Sequence, residues 1–174
     1  MNARRRDVLK LAALATISGG GVLPAVAASD PSSPERSTAM HWRPLMLLRL
    51  STAPTQELGG PHGGRVTFPI TGGSFEGDRL RGKVLSAGSD WTVKRPDGVV
   101  ELDLRATLET EDWALIYLTF GGLRDDGAKG GPYFRTTPRF ETAASKYAFL
   151  NRVLAVGKGE LRPDGPVHVI EELL

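Results

Sequence analysis

The stretch "ELDLRATLE", Glu101 to Glu109, alternates charged or polar residues with apolar ones. On an extended strand, Glu101, Asp103, Arg105, Thr107 and Glu109 share one face, and Leu102, Leu104, Ala106 and Leu108 share the other. Asp103 and Arg105 can then form a fixed ion pair. A carboxylate withdrawn from water beside such a pair can hold a polar ligand or move a proton. Two orientations are open. With the leucines inward, the polar row is a solvated wall. In a small barrel with a ligand cavity, the polar row lines the lumen and the leucines pack outward, on another layer or another subunit.

Two further stretches carry comparable groups. In "GSDW", Asp90 follows a glycine-containing turn, so its carboxylate can sit at a barrel mouth with Trp91 as an apolar wall. The plainer reading makes Asp90 a turn cap and Trp91 a core residue. In "YFRTTPRFE", Tyr133 and Arg135 fall on one strand face, and Glu141 lies beyond a bend at Pro138. A phenol, a guanidinium and a carboxylate converging there suit an anionic or carbonyl-bearing molecule, whereas a Glu141–arginine brace on the bend is the structural alternative.

Other chemistries are excluded or weakened. "GDRLRGKV", Gly77 to Val84, completes G-x-x-x-x-G-K but puts Val84 where a phosphate loop needs a magnesium-binding hydroxyl. The β-branched run that follows starts no helix, so no helix N-terminus is available for a phosphate. A glycine turn entering a strand fits better. His41, His62 and His168 have no histidine two or four residues away, and no metal site is expected. G-x-S-x-G does not occur, and without cysteine there is no thiol nucleophile. No cofactor is expected.

The elements that would position these residues read as strands. The 174 residues suffice for one domain with a real core, and 21 glycines with 12 prolines suit a chain of many turns. "RPDG" occurs twice, at Arg95–Gly98 and Arg162–Gly165, each between alternating runs, as a hairpin turn requires. Turns are also expected at Gly72–Gly73, Gly88, Glu111–Asp112 and Gly121–Gly122. Only "ETAASKYAFLNRVL", Glu141 to Leu154, has a helical look, and its apolar spacing supports roughly one turn. About nine strands with few places for a crossover helix predict an all-β fold: a single antiparallel barrel of roughly eight to ten strands, with at most one short helix.

The N-terminus reads differently. Arginines at 4 to 6, an uncharged stretch broken by Gly19–Gly21 and Pro24, and Ala25-Val26-Ala27 form a twin-arginine signal over residues 1–27; a disordered basic tail is the alternative. Residues 28–41, rich in Ser and Pro, read as a flexible linker before a barrel domain at 42–174. The signal holds four of 22 basic and one of 20 acidic residues, leaving 18 and 19, a net charge of −1. No basic field for nucleic acid remains. No membrane span is expected, because the apolar run is short and interrupted. Export would make the translocase a partner and place the mature protein in the periplasm or outside the cell.

The order "GGSFEGDRLRGKVLSAGSDW", "RPDGVVELDLRATLET", "YFRTTPRFET", "KYAFLNRVLAVGKGE" resembles the uncharacterised protein family 0311, also called domain of unknown function 3237. The resemblance runs from about Trp42 to Leu174. It implies a compact antiparallel barrel with a central cavity and little about chemistry. The family's polar signature falls on Asp90 and Trp91, Asp103 and Arg105, Tyr133 and Arg135, Glu141, and Asn151. Two departures stand out: Asp112-Trp113 where members often have Asp-Gly, and Phe149 where many have Trp.

The sequence therefore predicts a small-molecule binder with Trp91, Arg105, Tyr133, Arg135 and Asn151 as ligand contacts. The alternative is an acid/base isomerase, cyclase or lyase using Asp90, Asp103 or Glu141. A third reading is an interaction module whose polar rows are solvated. Barrel edges and an outward leucine row would suit a homodimer.

Overall fold

The computed structural model describes residues 39–174. The expected signal and most of the expected linker lie outside the described residues. The strands are β1 (Trp42–Thr52), β2 (Gln56–Glu57), β3 (Gly64–Glu76), β4 (Arg81–Lys94), β5 (Val100–Thr110), β6 (Leu115–Asp125), β7 (Tyr133–Glu141), β8 (Ala155–Arg162) and β9 (Gly165–Leu173). Neighbours run antiparallel in the order β1-β9-β8-β7-β6-β5-β4-β3, and β1 also pairs with β3. Eight strands thus close into a barrel, with β2 added to β3 as a short extra strand. No helix among the described residues is long and apolar enough to cross a membrane.

Alternation decides which face is inside. Leu104, Leu108, Ile116, Leu118, Phe120 and Ile170 are almost completely buried and belong to one core with Leu45, Leu48 and Phe75. Each such side chain contributes about 1.5–3 kcal/mol by leaving water, which fixes the register, since a one-residue slip would turn a whole row outward. The leucine row of β5 is therefore interior, which settles the open orientation: the polar row is the outer face, and the alternative with leucines outward on another layer or subunit is not met.

Both RPDG segments are hairpin turns, joining β4 to β5 and β8 to β9; the first is closed by Gly98 N–H donating to Arg95 O at 3.0 Å. Gly77 N–H bonds Leu80 O at 2.9 Å, so "GDRLRGKV" is a turn leading into β4. Gly72–Gly73 and Gly88 are not strand ends. They lie inside β3 and β4 where the register slips, and a Cβ on Gly73 or Gly88 would stand 2.1 Å from the carbonyl oxygen of Arg49 or Arg105. Glycine there lets two long strands bend around the barrel without stopping. Gly121–Gly122 likewise lies inside β6 rather than at a turn.

The helical segment is a 3₁₀ helix, Ser145–Arg152, whose Tyr147 and Leu150 are buried at one barrel end. That end also carries the β3–β4 and β5–β6 turns. The RPDG turns and the β6–β7 loop lie at the other.

Candidate functional site

Directly paired residues of neighbouring strands share a face, so the registers show where each predicted residue points. Asp90 is opposite Leu104 on β5 and Phe68 on β3, and so faces the lumen. Trp91, Asp103, Arg105, Tyr133, Arg135 and Glu141 face outward. On the outer wall, Arg105 bonds Asp103 at 3.2 Å and lies 5.5 Å from the Trp91 ring, and the Asp103 and Arg105 side chains are 55% and 51% exposed. The lumen-lining ion pair considered for β5 is thus an outside pair: burying the leucines leaves the polar row no other face. Tyr133 and Arg135 stack separately, ring to guanidinium at 5.0 Å, with Arg135 bonded to its neighbour's carbonyl. Glu141 is exposed, and Pro138 is buried within β7 rather than ending it. Asn151 holds the 3₁₀ helix to the end of β7, accepting from Thr142 N–H and donating to Thr142 O, both at 2.9 Å. The structure therefore does not bring the eight residues together, and of them Asp90 alone points inward.

Sequence reasoning missed three other inward polar residues, of which Arg124 acts on the Asp90 charge. Arg124 pairs with Val100 and Phe134, Thr136 with Gly122 and Gly157, and His168 with Leu48 and Gly159, all on the inner face. Among the described residues, Arg124 Nε, Thr136 Oγ1 and His168 Nδ1 are buried side-chain polar atoms without a hydrogen-bond partner. Such orphans are few in folded proteins and costly, about 1–3 kcal/mol each, so three in one lumen need an explanation. Asp126 Oδ2 stands 3.3 Å from Arg124 Nε, close enough for charge attraction but outside hydrogen-bond alignment. The signal was in the phase of the strands. Arg124 continues the inward series Ile116, Leu118, Phe120, Gly122, and Thr136 sits between Phe134 and Pro138. A polar residue in an apolar phase is the mark to look for.

The electrostatics are unusual at this end. Burial raises the Asp90 carboxyl to a pKa of about 6; a hydrogen bond from Asp103 N–H opposes the rise, the Asp103 charge adds to it, and Arg124 opposes it. That bond, 3.0 Å from Asp103 N to Asp90 Oδ1, falls where the β4–β5 ladder is interrupted between Asp90 and Val93. His168 lies between Phe120 and Phe134, ring centroids 5.0 Å from each, and burial lowers its pKa to about 4. It is neutral at pH 7. The arrangement offers a guanidinium N–H, a hydroxyl, a neutral imidazole nitrogen and a carboxyl able to gain or lose a proton near neutrality. Groups of these kinds can donate to or accept from an oxygen atom, and the Asp90 carboxyl can exchange a proton near neutral pH. No group of three or more His, Cys, Asp or Glu among the described residues is arranged to hold a metal.

The family described as "Protein of unknown function (DUF3237)" matches residues 40–172. The chain belongs to the DUF3237 family. It is 34% identical over 125 residues to a UPF0311 protein of Rhodopseudomonas palustris (strain TIE-1), spanning 64% of this chain and 82% of that one. The crystal structure of a beta-barrel like protein from Acinetobacter baumannii AYE superposes with a TM-score of 0.74 at 35% identity, covering 78% of this chain and 97% of that one. An enzyme from Penicillium herquei shares the fold at 21% identity and a TM-score of 0.67, covering 80% and 98%.

Proposed function

We propose that this DUF3237 barrel binds a compact organic molecule in the lumen at the RPDG end, with an apolar body against Phe68, Phe120 and Phe134 and an oxygen acceptor toward Arg124 and Thr136. The observation that carries this reading is that three buried polar atoms without a hydrogen bond, Arg124 Nε, Thr136 Oγ1 and His168 Nδ1, belong to residues of the inner face. A bound carboxylate, ketone or phenol would supply the missing partners, which ordinary core packing does not. The test is a thermal-shift and NMR screen of small carboxylates, ketones and phenols. Binders should raise the melting temperature of the wild type and of Arg105→Met but not of Arg124→Met. Dependence on Arg105 with indifference to Arg124 would move the site to the outer wall.

A second reading, acid/base catalysis in the same lumen, is favoured by Asp90. With a pKa of about 6 it exists in both forms near neutral pH, as a proton-transferring group in an isomerase, cyclase or lyase must. Asp90→Asn would then keep ligand binding and lose turnover. Wild-type turnover by Asp90→Asn would remove the catalytic reading and leave the binding one intact. We also propose export through the twin-arginine route, from the paired arginines and Ala25-Val26-Ala27. Replacing Arg4 and Arg5 by lysine should hold the protein in the cytoplasm in a fractionation experiment, and unchanged export would exclude that route.

A further inference from the structure

Across the outer wall from the helix-capped end runs a groove of about 670 Å³ over the β3–β4 hairpin, bounded by Trp113 of the β5–β6 turn. It is separate from the lumen. Trp113 is unusual twice over: the residue is 77% exposed, and its backbone is left-handed, φ 66°. A bulky L-residue in that region is strained, and glycine would relieve the strain without altering the turn. The conformation is imposed from several sides. Trp113 N–H bonds Thr110 O at 2.9 Å, Ala114 N–H bonds Thr110 Oγ1 at 2.9 Å, and Asp112 is clamped by Thr110 Oγ1, Tyr147 OH and Lys146 Nζ at 2.6 to 2.7 Å. An indole held in a strained turn and exposed to water contributes nothing to the core, so its role is on the surface.

The groove floor narrows the class of ligand. Lys83 Nζ bonds Glu109 Oε1 at 2.7 Å and lies 5.9 Å from the Trp113 ring centroid, so a cation already occupies the neighbourhood of the indole. Glu76 is paired with Arg49 at 2.8 Å. Counting Arg49, the groove has four carboxylates and three cations, a near balance that offers donors and acceptors side by side and little net field. That pattern suits a ring with an apolar C–H face and hydroxyls that both donate and accept. We propose that the groove binds a neutral carbohydrate, one sugar ring stacked on Trp113 and its hydroxyls bonded to Glu109, Lys83 and Arg81.

The full chain is titrated with maltotriose, cellotriose and chitotriose by tryptophan fluorescence and calorimetry, with tetramethylammonium as the cationic probe. At least one trisaccharide should bind with a Kd of about 1 mM or tighter. Trp113→Gly, which suits the φ of that position and should melt no lower than wild type, should weaken binding at least tenfold. Glu109→Gln should weaken it less, and Trp91→Phe on another part of the wall should leave it unchanged. The proposal is overturned if no trisaccharide binds by about 10 mM, if Trp113→Gly binds as well as wild type, or if tetramethylammonium binds more tightly than every sugar.

Discussion

The two ends of the barrel hold their buried polar groups in opposite ways. At the helix-capped end, Glu172 is 1% exposed, yet its carboxylate receives Arg43 and, at 2.7 Å, Arg79, whose guanidinium also lies 4.3 Å from the Phe149 ring centroid. Burial pushes the Glu172 pKa up, but the bonds from Arg79 and Arg43 outweigh it and the net direction is down. At the RPDG end, Arg124, Thr136 and His168 each keep a buried atom without a hydrogen bond, and the net shift of Asp90 is upward. One end is built to be closed. The other leaves polar demand unmet on its inner wall.

The largest test of this contrast is in the pH dependence of stability. The folded pKa of Asp90 lies above its ordinary value, so the native state binds the extra proton and Asp90 costs stability as pH rises from about 4 to about 6. His168 is the reverse: its folded pKa lies below the ordinary value, the unfolded chain binds the extra proton, and stability rises with pH from about 4 to 6.5. Each is worth about 3 kcal/mol at 1.36 kcal/mol per pKa unit. They oppose each other, so between pH 4 and 6.5 their contributions nearly cancel in the wild type. Asp90→Asn should therefore expose a rise with pH and His168→Gln a fall, both read from urea midpoints. Parallel pH profiles for the two variants would mean that these groups do not titrate as the lumen dictates.

Much of the fold was legible in the residues, whereas most of the site was not. Alternation in "ELDLRATLE" and the repeated RPDG turns mark strands and hairpins through local chemistry, and the barrel follows from many strands with no crossover. What alternation lacks is a sign: it separates two faces without saying which is inside. Asp103 and Arg105 fell on the outer one because four leucine and alanine neighbours gain more by burial than a pair of charges. Asp90 was legible because its turn-like neighbourhood marks a place where a strand bends. Arg124, Thr136 and His168 carry no motif, and their meaning depends on strands that meet only in the closed barrel. Trp113 was noticed as a departure from Asp-Gly, but its strained backbone required the structure.

At the closed end the expected effect is smaller. Glu172→Ala removes the one acceptor shared by Arg43 and Arg79. Those side chains are 52% and 32% exposed, so water takes over part of their solvation, and the cost should be about 2 kcal/mol rather than the 3–5 of a fully buried pair. Chemical denaturation at pH 7 measures it. An unchanged midpoint would mean that the network is a surface feature and that the contrast between the ends is weaker than drawn.

The smallest and sharpest comparison uses one substitution at two inward threonines. Thr92 Oγ1 donates to Val66 O at 3.0 Å, whereas Thr136 Oγ1 has no hydrogen-bond partner, although the residues are 4% and 1% exposed respectively. Threonine and valine have nearly the same shape, so packing is held constant. Thr92→Val removes a made bond, costing about 1 kcal/mol; Thr136→Val removes only an unmet desolvation cost and should gain about 1 kcal/mol. Opposite signs in the two melting temperatures would locate the unmet polar demand on β7, beside Arg124 and His168. If both variants lose stability equally, Thr136 already has a partner, and a resident water is the species that fits an atom so deeply enclosed.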